Sequence, residues 1–393
     1  MTEKMQYQRW LDFPLEDPAL KEELLSIKDQ DEEIFDRFYQ ELAFGTAGLR
    51  GVLGAGTNRM NIYTVRKATQ GMADYLNEKY PQSSIAISYD SRINSRLFAE
   101  ETARVMAANG ITAYLYDQLM PTPALSFAVR DLKCQAGVMV TASHNPAKYN
   151  GYKAYGPDGC QMTDEAAGAV LEKIGRIDIF DGVKVADFAQ ALGQGKIQYI
   201  KQEVIDRYLD AVESQSIRKG ICADSGMKVV YTPLNGAGNM CVRAILDRIG
   251  IRDVVPVKEQ ELPDGNFPTC PYPNPEIREA QVEEQYRLVK ADGGMVIHAH
   301  PFREEAYIPE IRLFPAFVDG VEGMNATHTS PLSVSHKSTV YDGQARVYAK
   351  EHKLVMTAGS DVHSTAVFGG GTAFAGKLSD SRDFIRAIQG GEE

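Results

Sequence analysis

The sequence predicts an α/β fold of layered domains with mostly parallel sheets. Period-two apolar alternation such as SIAISYD (residues 84–90) recurs between helix patterns of roughly 12 to 16 residues, the rhythm of strand–helix–strand units. The chain has 393 residues, 44% of them hydrophobic, enough length and apolar content for two or three packed cores.

Each element follows in order. Residues 18–43 place Leu20, Leu24, Ile27, Ile34, Phe38 and Leu42 at helical intervals in a charged segment, predicting an N-terminal helical arm. A glycine-rich stretch, FGTAGLRGVLGAGTNRMN, comes next. Val65, Ala68, Met72 and Leu76 share one helix face, and the strand at 84–90 follows. A helix over about 95–109 stops at Gly110, and ITAYLYD and AGVMVTA read as two further strands. A polar stretch at 182–195 and a helix at 201–214 lead to a second α/β unit. It contains the strand MKVVYTP, the turn LNGAGN, a helix ending at Gly250 and the strand DVVPV. The turn chemistry of ELPDGNFPTCPYPNPE precludes regular structure there. Beyond it lie a helix at 280–290, the strands GMVIHAH and KLVMTAGSDVH, and a last helix near 382–389.

A net charge of -11 argues against nonspecific binding to nucleic acid or anionic membrane, although a phosphate site can still be locally basic. No apolar run is long enough to span a bilayer, and the polar, acidic N-terminus does not read as a signal peptide, so a cytoplasmic protein with small-molecule partners is expected. Five scattered cysteines without a CxxC pair fit reduced, structural thiols.

The most informative string is VMVTASHNPAKYNGYKAYGPDGCQM. A buried strand delivers Thr141, Ala142, Ser143, His144, Asn145 and Pro146 to the sheet's carboxyl edge, where open α/β sheets bind ligands. Serine is a weak nucleophile, so phosphoryl transfer through it needs a base or a phosphate-polarising environment, which His144 and Lys153 can supply. On its own, TASHNP also fits a Ser/Asn turn with a solvated histidine. GTAGLRG sets Arg50 in a glycine-rich loop of the kind that approaches anions. YDSR brings Asp90 and Arg92 off a strand together, able to position the loop or the phosphate.

These pieces, with PTPAL and NGYK in the same order and at the same intervals, resemble the α-D-phosphohexomutase superfamily over residues 1 to about 280. The similarity is greatest to its phosphoglucomutase branch with a long N-terminal arm. The resemblance implies an isomerase of carbohydrate metabolism acting on a hexose phosphate, glucose or mannose phosphate, with a hexose 1,6-bisphosphate as activator. Ser143 then matches the serine that is phosphorylated and bears the phosphate facing Mg2+. His144 and Lys153 match residues of proton handling and phosphate contact, and Arg50 the arginine near the phosphoserine. Thr141, Asn145, Asp90 and Arg92 fall among the substrate- and phosphate-binding positions. TPLNGAGN, PDGNFPT and PNPE match family segments of structural role.

The family's Mg2+ loop, DxDxDR, is not found in the sequence, nor are its sugar-recognition loop and fourth-domain phosphate segment. Instead, residues from about 281 to 393 resemble the C-terminal half of a polymerase-and-histidinol-phosphatase (PHP) type metal phosphoesterase. GGMVIHAHPFRE and LVMTAGSDVHS carry that resemblance. It implies metal ligation by His300, Asp361 and His363, with Zn, Mn or Fe suited to such ligands. Hydrogen-bonded structural histidines are the alternative.

Three domains are expected: 1–205, a phosphohexomutase first domain; 206–282, an incomplete second domain; and 283–393, a PHP-like segment. The helix and strand at 283–300 are expected to close the second domain's sheet, bringing His298 and His300 to where the aspartates would lie. Three functions follow from these resemblances: an impaired phosphoserine mutase, a PHP-like phosphoesterase, or a non-catalytic chimeric chain that binds phosphate esters.

Overall fold

The computed structural model describes residues 2–45, 48–274, 283–291, 293–304, 311, 313–329, 338–361, 371–374 and 377–390. It divides into two compact units. The first comprises Met1–Ser216, Pro233–Ile245 and Gln260–Pro273, and the second Ile217–Thr232, Leu246–Glu259 and Asn274–Glu393. Two second-domain segments, TPLNGAGN and PDGNFPT, thus fall largely within the first unit, a division different from the three domains expected from sequence.

The helical arm expected over 18–43 holds two helices, α2 (Pro18–Ser26) and α3 (Asp31–Phe38), and is preceded by α1 (Glu3–Asp12). Local capping makes the breaks. Thr2 accepts the Met5 N–H, and Asp17 accepts the Ala19 N–H just ahead of Pro18, whose missing N–H costs nothing at a first helical position. Of the apolar positions across 18–43, Leu20 and Leu24 lie on α2 and Ile34 and Phe38 on α3, while Ile27 caps α2 and Leu42 lies beyond α3, all against the same core. Trp10, fully buried, meets Phe38, Tyr63 and Phe180 edge-on.

The chain then runs β1 (Leu49–Val52), α4 (Ile62–Lys79), β2 (Ser84–Tyr89), α5 (Ser95–Ala108), β3 (Thr112–Leu115), α6 (Thr122–Asp131), β4 (Ala136–Val140), β5 (Tyr149–Tyr155), α7 (Asp164–Ile174), α8 (Phe188–Gly193), β6 (Ile197–Tyr199) and α9 (Gln202–Glu213). The strands form one six-stranded sheet in the order β1-β5-β4-β2-β3-β6. β2, β3, β4 and β6 run parallel, whereas β5 pairs antiparallel with both β4 and β1. α4 starts on a reciprocal cap: Asn61 accepts the Tyr63 and Thr64 N–H groups, and Thr64 accepts the Asn61 N–H. Arg50 lies on strand β1, not in the glycine-rich loop the sequence suggested. Gly48 makes this possible, because its φ of +103° brings the chain so close to β5 that an added Cβ would lie 1.8 Å from the Tyr152 carbonyl oxygen.

The remaining elements are α10 (Ile221–Asp224), β7 (Lys228–Tyr231), α11 (Asn239–Arg248), β8 (Asp253–Pro256), α12 (Lys258–Glu261), α13 (Glu283–Ala291), β9 (Ile297–His298), β10 (Gly320–Asn325), α14 (Ala326–Thr329), α15 (Thr339–His352), β11 (Val355–Gly359) and α16 (Ser381–Gly390). β7 and β8 form a parallel pair, and β9 pairs parallel with β10, which pairs parallel with β11. The HAHP strand thus pairs with β10 and does not join the β7–β8 pair. The partner it finds is the buried strand GVEGMN, whose Val321 packs with Tyr348 and Ala349 of α15. No helix among the described residues is long and apolar enough to cross a membrane.

Candidate active site

The serine loop leaves β4 at the carboxyl edge of the six-stranded sheet, next to the segment that leaves β2. Ser143 is exposed, with its backbone in the left-handed region at φ +56°. That geometry is costly for a non-glycine residue and persists only where its surroundings fix it. Two groups do so. The Ser143 N–H donates to the Thr141 hydroxyl at 2.9 Å, and the Ser143 carbonyl accepts from the Arg92 guanidinium at 2.7 Å.

Arg92 extends the grip. Its two terminal nitrogens also donate to the carbonyls of Asn145 at 2.5 Å and of Pro146 and Tyr149 at 3.1 Å each. Its Nε lies 3.6 Å from the Asp90 carboxylate, and its side chain has no exposed surface. The sequence left open whether Arg92 holds the loop or the phosphate, and placed it with the phosphate-binding positions. The structure commits it to the loop, because its outer N–H groups are directed at backbone carbonyls. Asp90 is the hub behind it, accepting the Arg92 N–H at 3.0 Å, the Ser95 hydroxyl at 2.7 Å and the Thr141 hydroxyl. Burial raises the Asp90 pKa against these hydrogen bonds, and burial lowers that of Arg92, with Arg50 lowering it further. Asn150 ties in β5, donating to the Ile93 carbonyl at 2.8 Å and to Ser95 Oγ at 3.0 Å.

The cations follow from strand register. Arg50 stands opposite Gly151 and Lys153 opposite Met139, so Arg50 and Lys153 share a face of the sheet two residues apart along β5. The Lys153 pKa is depressed, first by burial and then by the Arg50 charge, with Asp90 opposing. Two such cations would be relieved by an anion between them. His144 Nδ1 stands 3.4 Å from Ser143 Oγ, long for a hydrogen bond but close enough to tighten when a reactant arrives. The His144 ring also lies 6.4 Å, centroid to centroid, from Tyr272.

All eight first-domain residues singled out from sequence fall within one unit, around the carboxyl ends of β2 and β4 and the paired strands β1 and β5. Sequence reasoning missed Ser95, Asn150 as a side chain with a role, and Phe267, whose ring centroid is 5.1 Å from the Arg92 guanidinium carbon. Ser95 and Asn150 adjoin the motifs YDSR and NGYK, so motif proximity could have found them. For Phe267 no sequence signal pointed to Arg92.

The C-terminal residues behave differently. His300 faces Glu322, Nδ1 to carboxylate 3.3 Å, and Asp361 is bound by Arg303 at 2.9 Å. His298 lies beside Phe314, its pKa pushed down to about 4 mainly by burial. His363 lies outside the described residues. Among the described residues no three His, Cys, Asp or Glu side chains converge on a point where a metal could sit. The Zn, Mn or Fe ligand set expected at the C-terminal segment is thus not assembled among the described residues. The one carboxylate bonded into the serine loop's scaffold, Asp90, is already engaged by Arg92, Ser95 and Thr141.

Comparison with known proteins agrees with this geometry for the front of the chain. Residues 41–179 match the phosphoglucomutase/phosphomannomutase α/β/α domain I and residues 206–300 the corresponding domain II. A phosphoglucomutase of Staphylococcus saprophyticus is 40% identical over 260 residues, covering 66% of this chain and 47% of that protein. One from Staphylococcus aureus is 35% identical over 292 residues, covering 72% of this chain and 50% of that protein. A solved structure assigned as a phosphomannomutase from Thermus thermophilus superposes with a TM-score of 0.50 at 26% identity, over 58% of this chain and 48% of that one. The chain spans about half the length of the curated relatives it matches. Through these first two domains, the chain belongs to the phosphoglucomutase/phosphomannomutase family of the α-D-phosphohexomutase superfamily.

Proposed function

We propose that this chain carries the serine half of a phosphohexose mutase reaction. In this reading Ser143 Oγ attacks a phosphorus of a hexose 1,6-bisphosphate, forming the Oγ–P bond as the sugar O–P bond breaks. His144 takes the hydroxyl proton, and Arg50 and Lys153 hold the transferring group's charge. The reverse transfer to a hexose monophosphate, glucose or mannose phosphate, regenerates the hydroxyl. One observation carries the proposal: an exposed serine hydroxyl is held in a left-handed backbone by Arg92 and Thr141, at the same sheet edge where burial and the Arg50 charge depress the Lys153 pKa. Mg2+ would neutralise phosphate charge, but the family's aspartate loop is not in this sequence, so turnover should be severely reduced.

Incubation with glucose 1,6-bisphosphate and Mg2+, followed by intact mass, should show one added phosphoryl group that Ser143→Ala abolishes. No incorporation into the wild-type chain, beside a complete mutase that does incorporate, would remove the proposal. The phosphoesterase alternative has one supporting feature, His300 just past the end of β9 beside Glu322 of the adjacent parallel strand β10. It is opposed by the Arg303–Asp361 pair. Metal analysis of the purified chain with and without His300→Ala tests it.

A further inference from the structure

We propose that Phe267 is a positioning residue for Ser143, acting through Arg92. The proposal rests on the reading of Ser143 as the phosphoryl carrier, and it adds to that site a residue from the second-domain segment PDGNFPT. Phe267 is 4% exposed and sits at φ +48°, a backbone conformation that a bulky side chain rarely adopts. Its ring lies against the guanidinium of Arg92, 5.1 Å from centroid to Cζ. The terminal N–H groups of Arg92 are spent in the guanidinium plane on the carbonyls of Ser143, Asn145, Pro146 and Tyr149. Nε lies 3.6 Å from the Asp90 carboxylate, and an aromatic ring against the guanidinium carbon adds a contact without competing for a terminal N–H. A second carboxylate at this place would draw those N–H groups off the loop.

The ring is itself held. Gly265 passes so close to the YDSR turn that an added Cβ would lie 2.6 Å from the Ile93 nitrogen and 2.8 Å from the Ser91 carbonyl. Asn235 of TPLNGAGN donates from its side chain to the Leu262 carbonyl at 2.8 Å, and its backbone carbonyl accepts the Asp264 N–H at 3.2 Å. Asn239 donates to the Glu261 carbonyl at 2.6 Å. The two second-domain motifs therefore form a brace whose tip is Phe267. Its contact is relayed by one guanidinium to the backbone that sets the direction of the Ser143 hydroxyl.

Hydrogen exchange on the full chain tests this. Phe267→Leu keeps apolar volume but removes the π face, and should speed exchange of the Ser143 and Asn145 amides by about five- to tenfold. Amides of β2 and β4 should remain unchanged. Phe267→Tyr restores the face and should stay within about twofold of wild type. A loop as protected in Phe267→Leu as in wild type, or Phe267→Tyr as loose as Phe267→Leu, overturns the proposal. If Phe267→Leu does not fold, Gly265→Ala displaces the same brace. Loop loosening there supports the proposal, and unchanged loop protection overturns it. The rate of phosphoserine formation from glucose 1,6-bisphosphate should fall in Phe267→Leu and recover in Phe267→Tyr. Failure of the wild-type chain to incorporate phosphate would count against the phosphoryl-carrier role, while the exchange comparison would still decide the brace.

Discussion

Replacing Arg92 with glutamine should be among the most damaging single changes in the first unit. The wild-type guanidinium supplies four loop carbonyls and faces a buried carboxylate. Breaking a buried ion pair from one side costs about 3–5 kcal/mol. Each charged hydrogen bond lost contributes up to about 1.5–3 kcal/mol more. These terms do not add, because Ser143 is at the surface and water can reach some of the freed carbonyls. A loss of about 4 kcal/mol is the expectation. At about 2–4 °C per kcal/mol for a unit of this size, Tm should fall by roughly 8–16 °C. The deficit should depend on pH. Asp90 already has a raised folded-state pKa and would lose its cation, so the variant's folded state holds a proton that the unfolded state does not. Stability of the variant should then fall as pH rises above the ordinary carboxylate range, and the gap to wild type should be wider at pH 7.5 than at pH 5. Urea denaturation at both pH values, with Arg92→Lys as an intermediate case, measures this. A change below about 1 kcal/mol at pH 7.5 would refute the claim that Arg92 holds the loop.

Gly48→Ala should cost at least about 2 kcal/mol in urea denaturation, since the new methyl would collide with the Tyr152 carbonyl in a backbone conformation that disfavours any side chain. The Asp178 pKa is lowered to about 2, first by its hydrogen bond with Arg9 of α1, so this pairing stabilises the arm above the ordinary carboxylate pKa and is lost as pH falls toward 2. The ion pair is partly exposed and worth under about 1 kcal/mol, so Asp178→Asn should show itself as faster proteolysis within the arm rather than as a large Tm change. His298, with its pKa lowered to about 4, is partly buried and neutral at pH 7. Between the free-histidine pKa and 4, the unfolded state binds a proton that the folded state refuses, so the second unit should lose up to about 3 kcal/mol across that window. His298→Phe should flatten that dependence, measured by urea titrations at pH 7.5 and 4.5.

The serine loop was legible because its chemistry is contiguous: TASHNP, YDSR and NGYK each sit at the end or start of a strand, and strand alternation alone sends their ends to one sheet edge. Helix and strand periodicity likewise predicted the layered α/β core, since those patterns are written over a few neighbouring residues. Partner choice was not legible. Strand pairing is decided by which buried faces meet, so HAHP joined GVEGMN rather than the β7–β8 pair, and Arg50 proved to be a strand residue once Gly48 let β1 approach β5. The role of Arg92 was also undecided until the structure showed which oxygens surround it. A guanidinium binds phosphate and carbonyl alike, and only the fold, setting Phe267 against Arg92 and four carbonyls around its two terminal nitrogens, showed which oxygens it meets.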